Sequence, residues 1–453
     1  MDVAGKRVTV MGLGRFGGGV GVARHLIEQG ADVLVTDMLT ADKLQDSLDR
    51  LKGLPIEFRL GEHNVSDFTT CDLVVANPAV KPDNRFLRAA QAANIPITTE
   101  VRLLVEALPN RLRTIGITGS AGKSTTTAMI GHLLEKAGQK AWVGGNIGGS
   151  LLDRLEQIGP NDWVVLELSS FMLHHLRKNE HFPGWSPHIA VITNIRPNHL
   201  DWHGSFDAYV KDKHVILDYQ DHTSDDAAVA GPGVHDQVSP RVTRWCDFGS
   251  EGDTRWKPDP PWPLLIPGEH NQLNARLASV ACELAVGVEE WRCARWLADF
   301  PGLAHRLQFV LEHQGVRYFN DSKCTTPEAA ELAIRSFDTR RVHIILGGYD
   351  KGSDLTPLAS LAAERCAGVY TIGTTGQRIA DTVERAGSPE CGVVRCRTLD
   401  EAVRAAVRCA RPGDVVLLSP ACASWDQFDH YEQRGERFIE LVRTITASAA
   451  EDD

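Results

Sequence analysis

Thr118-Gly-Ser-Ala-Gly-Lys-Ser-Thr125 follows the apolar stretch Thr114-Ile-Gly-Ile-Thr118 and opens a helical pattern that runs from Ser124 to Gly138. A strand, a glycine turn and a helix N-terminus in that order form a phosphate cradle. Backbone N–H groups and the helix dipole face an anion, Lys123 adds a point charge and Ser124 offers a magnesium ligand. Gly119, Ser120, Ala121, Gly122, Lys123, Ser124 and Thr125 are therefore candidate ATP-binding residues. The helix is expected because Met129, Ile130, Leu133, Leu134 and Ala137 share one face, with Gly138 as its stop. The first glycine of the common P-loop pattern would fall at Ile117, so the loop alone also fits a glycine turn without a nucleotide.

The remaining chain bounds the answer. Its 453 residues predict two or three domains at about 150 residues each. Hydrophobic residues make up 43% and charged residues 24%, a soluble globular composition, and the net charge of −11 argues against a nucleic-acid binder with a broad basic face. The N-terminus reads directly into a strand and no stretch reaches the roughly 18 apolar residues that span a bilayer, so a cytoplasmic protein without a membrane partner is expected. The ten cysteines are scattered without C-x-x-C pairs, which suits reduced thiols; Cys422 alone is a candidate to line a site.

Short apolar strands alternate with amphipathic helices, the pattern of parallel sheet covered by helices. Strands are expected at Val8 to Met11, Val33 to Thr36 and Leu73 to Ala76, then after a pause near Pro109-Asn110 at the phosphate loop. Fresh strands follow Pro301-Gly302 at Gln308 to Leu311, Val342 to Leu346, Val369 to Ile372 and Val415 to Leu418. Three α/β domains result, over 1–110, 111–302 and 303–453. The Asp-, Gly- and Pro-rich stretch from Gln220 to Pro267 reads as loops and short β-hairpins.

Gly12-Leu-Gly-Arg-Phe-Gly17 follows a strand, opens a helix and precedes Asp37 at the end of the next strand, as a dinucleotide fingerprint prescribes. The same glycines admit any diphosphate, so a UDP-linked ligand fits as well as NAD. In the middle region, Glu167 ends the apolar run Val164-Val-Leu-Glu167, where its carboxylate could complete a magnesium site begun by Ser124 or simply be solvated. Asn194, His199 and Asp201 follow another strand at the ligand-binding edge of the sheet.

These motifs, together with Tyr209-Val-Lys-Asp-Lys213, Gly268-Glu-His-Asn-Gln-Leu-Asn274, His305-Arg306, Asn320-Asp-Ser-Lys323, Gly347-Gly348 with Lys351, and Ser419-Pro-Ala-Cys-Ala-Ser424, resemble the Mur ligases of peptidoglycan synthesis. They occur in the family's order over almost the whole chain. The resemblance implies a Rossmann-like N-terminal domain, a central P-loop ATPase-like domain and a C-terminal Rossmann-like α/β domain. It implies ATP and two Mg2+ sites, with Lys123, His199 and Lys213 as catalytic groups, and Ser124, Glu167, His199 and a carbamylated Lys213 on the metals. Asn271, Arg306 and Asp321 would hold ATP, with His305 nearby. Gly14, Arg15, Phe16, Asp37, Asn77 and Asn146 would serve a UDP-linked substrate, and Lys323, Thr325, Lys351, Ser424, Trp425 and Tyr431 an incoming amino acid.

The closing stretch Leu418 to Gly435 resembles the member that adds D-glutamate to UDP-N-acetylmuramoyl-L-alanine through an acyl phosphate, and a monomer is expected. Departures from the family pattern fall at Ala121, Arg15-Phe16, Met38, Asn77-Pro-Ala-Val80, Trp425 and Tyr431. Those at Trp425 and Tyr431, against the glutamate, leave L-glutamate as an alternative substrate. An NAD(P)-dependent oxidoreductase, the alternative from another class, leaves the phosphate loop and the third domain without a role.

Overall fold

The structure is a computed structural model that describes residues 1–14, 18–221, 223, 225–238, 242, 244–387 and 392–449. Arg15, Phe16 and Gly17, three residues of the glycine-rich turn, lie outside the described residues. The chain forms two compact units, Met1–Pro260 with Leu273–Trp296, and Pro261–Gln272 with Leu297–Asp453.

The first unit carries two parallel sheets. Strands β1 (Arg7–Met11), β2 (Asp32–Asp37), β3 (Ile56–Leu60), β4 (Leu73–Ala76) and β5 (Ile97–Thr98) pair in the order β3-β2-β1-β4-β5. Strands β6 (Thr114–Thr118), β7 (Ala141–Gly145), β8 (Trp163–Glu167), β9 (Ile189–Ile192), β10 (Ala227–Ala230) and β11 (Arg244–Asp247) pair in the order β11-β10-β9-β6-β8-β7. All five residues of β6 are buried, as a strand covered on both faces requires. Its register sets Ile117 beside Glu167 and Thr118 beside Ile192, so the phosphate loop, Glu167 and the Thr193-Asn194 turn emerge from one sheet edge. One apolar core runs from Val8 and Val33 through Leu103 and Leu104 to Leu152, Leu173 and Leu176, which is why the two sheets share a compact unit.

The stretch expected to hold β-hairpins does otherwise. Ala227–Ala230 and Arg244–Asp247 pair in parallel and extend the central sheet beyond β9. The small side chains of Ala227-Ala-Val-Ala230 are all buried, a two-faced burial that suits an inner parallel strand rather than an exposed hairpin.

The second unit holds β12 (Gln308–His313), β13 (Val316–Asn320), β14 (Val342–Gly347), β15 (Cys366–Ile372), β16 (Gly392–Arg395) and β17 (Val415–Leu418), ordered β12-β13-β17-β14-β15-β16. Among the described strands β12–β13 pair antiparallel and the others parallel, so the carboxyl ends of β13, β14 and β17 present Asn320, Gly347 and Leu418 on a common edge. The described cysteines are free thiols, and among the described residues no helix is long and apolar enough to cross a membrane.

Candidate active site

The phosphate loop is held by backbone geometry and by the turn after β9. Gly119 has φ +150° and Gly122 φ +83°, and a Cβ at either would run into Thr193 Oγ1 or Asn274 Oδ1, so only glycine permits this curvature. Gly122 caps the helix Lys123–Lys136, whose buried face includes Met129, Ile130, Leu133 and Leu134 as its periodicity predicts. Ser120 N–H donates to Asn194 O at 2.9 Å, and Ala121 N–H to Asn194 Oδ1 at 3.0 Å. Thr193 Oγ1 and Asn194 Nδ2 donate to Ala121 O. On the Ala121 side these bonds use only backbone atoms, so the departure there leaves them in place.

Glu167 and Lys213 are both buried beside this loop. Asn146 Nδ2 donates to Glu167 Oε1 at 2.8 Å, while Oε2 is buried without a hydrogen-bond partner. An orphaned buried carboxylate oxygen is costly and is what a hard cation relieves, so Glu167 fits the divalent metal that this donor set implies. Ser124, 9% exposed at the second position of the helix, can contribute its hydroxyl. Among the described residues no three His, Cys, Asp or Glu side chains cluster as a ready-made metal site.

Lys213 lies on the helix Phe206–Asp218 and donates from Nζ to Gly119 O at 2.9 Å and Thr118 Oγ1 at 3.2 Å. Burial, reinforced by the Lys123 charge, holds its pKa well below the usual lysine value. Tyr209, one turn earlier, bonds Ser120 Oγ at 2.8 Å, and its ring lies 4.8 Å from Lys213 Nζ. His199 caps the short helix Leu200–His203 with φ +52°. Partial desolvation, then the charges of Lys123 and Lys213, lower its pKa and favour the neutral imidazole a metal requires.

At the edge of the first sheet, Asp37 Oδ2 accepts the N–H groups of Leu13 and Gly14 at 2.9 and 3.0 Å, and Oδ1 that of Leu39 at 2.8 Å. This carboxylate anchors Leu13 and Gly14 after the first strand. Asn77 Oδ1 accepts Ala79 N–H, and the turn it caps meets the short helix after His199, where Trp202 Nε1 donates to Ala79 O at 3.2 Å.

In the second unit, Asn271 is buried and donates from Nδ2 to Pro267 O at 2.6 Å. Arg306 is exposed and His305 buried. Asp321 accepts from Ser419 Oγ at 2.7 Å and Leu307 N–H at 3.1 Å, and burial pushes its pKa up to about 6. Thr325, Lys351 and Cys422 line one narrow cleft with Tyr349. Lys351 Nζ lies 5.0 Å from the ring centroid of Trp425, which packs on Tyr349 and is 61% exposed. Lys323 Nζ lies 5.5 Å from the Tyr431 ring, and Ser424 is buried.

Residues 6–99 match the Mur ligase MurD-like N-terminal domain, 117–242 the Mur ligase middle domain, and 305–422 the Mur ligase glutamate ligase domain. The chain is 38% identical over 477 residues to the UDP-N-acetylmuramoylalanine–D-glutamate ligase of Roseiflexus sp. strain RS-1, covering 98% of this chain and 100% of that one. It is 39% identical over 472 residues to the same-named ligase of Acidobacterium capsulatum, covering 99% of each. The chain belongs to the Mur ligase family.

Solved Mur ligases share the fold. The UDP-N-acetylmuramate–alanine ligase MurC of Thermotoga maritima aligns with a TM-score of 0.58 at 21% identity, covering 97% of this chain and 99% of that one. MurF of Acinetobacter baumannii aligns at 0.54 and 17%, covering 89% and 99%. Sequence reasoning about this Mur ligase chain missed Arg434. Its guanidinium is 1% exposed and donates to Ser322 Oγ, Ser322 O and Cys422 O, with Nη1 left without a partner. Its place inside the closing stretch Leu418 to Gly435 was the available signal.

Proposed function

We propose that this chain is an ATP-dependent ligase that joins D-glutamate to UDP-N-acetylmuramoyl-L-alanine in cytoplasmic peptidoglycan precursor synthesis. ATP phosphorylates the acceptor carboxylate, the glutamate amine attacks the acyl phosphate, and inorganic phosphate leaves as the amide forms. The reading is carried by identity of 38–39% along 98–99% of the chain to ligases named for this reaction. Lys123 with the buried Glu167 and Lys213 around the phosphate loop supplies the matching chemistry.

Both steps gather negative charge, so positioned cations and dipoles dominate over covalent catalysis. The loop from Gly119 to Thr125 and Lys123 cradle the ATP phosphates. Ser124 and Glu167 hold one magnesium ion, and His199 with carbamylated Lys213 a second. Bound magnesium neutralises phosphoryl oxygens. Carbamylation joins the neutral Lys213 amine to CO2 with loss of one proton, which turns a donor into a carboxylate-like ligand. Residues 1–110 take the UDP-linked acceptor with Gly14, Arg15, Phe16, Asp37, Asn77 and Asn146, residues 111–302 take ATP, and residues 303–453 take glutamate. Asn271, Arg306 and Asp321 serve ATP, while Lys323, Thr325, Lys351, Ser424, Trp425 and Tyr431 serve the amino acid.

The test is ADP release with UDP-N-acetylmuramoyl-L-alanine and, in turn, D-glutamate, L-glutamate and close analogues. Release that requires both the acceptor and D-glutamate supports the proposal. Release with L-glutamate alone would replace the amino acid, and displacement of the UDP ligand by NAD would overturn the reading of the first domain.

A further inference from the structure

Five polar side chains with no assigned part in the phosphate chemistry form a network around one carboxylate. Asp212 Oδ1 accepts from His174 Nδ1 at 2.9 Å and pairs with Arg177 Nη2 at 3.0 Å; Oδ2 pairs with His203 Nδ1 at 2.7 Å. His203 Nε2 bonds Ser170 Oγ at 2.9 Å. The Ser170–His203–Asp212 connectivity is that of a nucleophilic triad. Yet Ser170 is 2% exposed and the His203 side chain 0%, so no substrate carbonyl can reach the hydroxyl. The network acts on its own neighbours.

Those neighbours carry the site. Ser170 and His174 belong to the helix Ser170–His175, which follows the strand ending at Glu167. His203 ends the helix Leu200–His203, whose N-cap is His199. Asp212 precedes Lys213 on the helix Phe206–Asp218. A four-residue helix cannot hold itself, because nucleation costs more than one turn of hydrogen bonds returns. It is fixed from outside, by both ring nitrogens of His203 and by Phe171, whose ring lies 4.9 Å from that of His199 and 4.8 Å from that of Trp202.

We propose that Asp212 is a positioning residue that sets Lys213 and His199 relative to the strand end at Glu167 by tying these three helices together. The inference rests on the metal-site roles given to Lys213 and His199 above. Consecutive helical side chains diverge by about 100°, so one helix turns Lys213 onto the phosphate loop and Asp212 onto its two neighbours. A carboxylate can accept from all three donors at once, and an amide of the same shape cannot, because its NH2 faces another donor.

The test uses the full-length protein and the variants Asp212→Asn, His203→Gln and the double variant. Readouts are kcat, the KM for glutamate, thermal unfolding and the 13C signal of the Lys213 carbamate formed from labelled bicarbonate. Asp212→Asn should lower kcat roughly ten- to hundredfold, the usual scale for residues that orient ligands from behind, and weaken the carbamate signal. The KM for glutamate should stay within about twofold. His203→Gln should fall in the same direction, and the double variant should be no worse than Asp212→Asn alone. If Asp212→Asn does not fold, His203→Gln carries the same readouts. A wild-type kcat and carbamate signal in the folded variants, or losses that simply multiply, would overturn the inference. Lys213→Ala separates the two levels: an active alanine variant overturns the metal-site reading and this inference with it, whereas an inactive one beside a fully active Asp212→Asn overturns this inference alone.

Discussion

Lys123 and Lys213 share one acceptor: their Nζ atoms lie 2.8 and 2.9 Å from the carbonyl oxygen of Gly119. Two ammonium groups on one carbonyl repel each other, and the buried one is the one that gives up its proton. Burial and the Lys123 charge lower the Lys213 pKa, so a neutral amine is available for carbamylation at a lower pH than for a surface lysine.

Lys213→Ala should therefore lose most ligase activity, and bicarbonate with a short carboxylic acid should restore part of it, the acid standing in for the carbamate. Carbamate content should fall as pH is lowered through the depressed Lys213 pKa, read from the 13C carbamate signal. Full activity in the alanine variant would remove Lys213 from the mechanism.

Glu167→Gln should raise the Mg2+ concentration needed for half-maximal ADP release and lower kcat by about a hundredfold or more, since metal charge stabilisation is worth several kcal/mol. Asn146→Ala should have a weaker effect in the same direction, because Asn146 orients the Glu167 carboxylate. An unchanged Mg2+ dependence in Glu167→Gln would take it out of the metal set.

The Asp321 pKa, raised by burial from 3.8 to about 6, makes two opposite pH effects. An ionised Asp321 at the ATP site should give a kcat/KM for ATP that falls as pH drops through about 6, and Asp321→Asn should abolish that inflection. Stability runs the other way. A raised folded-state pKa stabilises below 3.8 and this contribution is lost as pH rises through about 6. Asp321→Asn should flatten that loss in denaturant titrations.

Arg102 is 1% exposed and donates to the backbone carbonyls of His175, Arg177 and Pro183. Arg102→Ala leaves these carbonyls without their donor and the Glu106 carboxylate without its partner, and should cost about 3–5 kcal/mol in urea unfolding. A loss under about 1 kcal/mol would show that water replaces the guanidinium there.

Lys351→Ala and Ser424→Ala should raise the KM for glutamate more than they lower kcat. D- and L-glutamate should differ strongly in kcat/KM, because the wrong isomer leaves a charged group unpaired. Trp425→Ala releases the Lys351 ammonium from the indole face and should weaken glutamate binding by about 0.5–1 kcal/mol, the exposed cation–π scale. Equal kcat/KM for the two enantiomers would withdraw Lys351 and Ser424 from the amino-acid pocket.

The amino-acid sequence by itself determined what is local. Apolar runs specified strands such as Leu73–Ala76 and Val415–Leu418, and the glycines of the phosphate loop specified a turn that only positive φ permits. Motif order then pointed to candidate site residues, because the phosphate loop, Glu167 and Thr193-Asn194 each follow a strand and parallel strands deliver their carboxyl ends to one edge. Tertiary structure decided the rest. Ala227–Ala230 is a parallel inner strand because Ile189–Ile192 accepts it, a pairing that no local pattern encodes. Asn146 holds Glu167 across 21 residues, and Arg102 reaches His175 across 73. Asp212, a plain polar position on a helix by its spacing, becomes the centre of a buried network only when three helices meet around it. Side-chain periodicity records which face is buried, whereas the partner on the other side of a hydrogen bond is set by how distant segments pack.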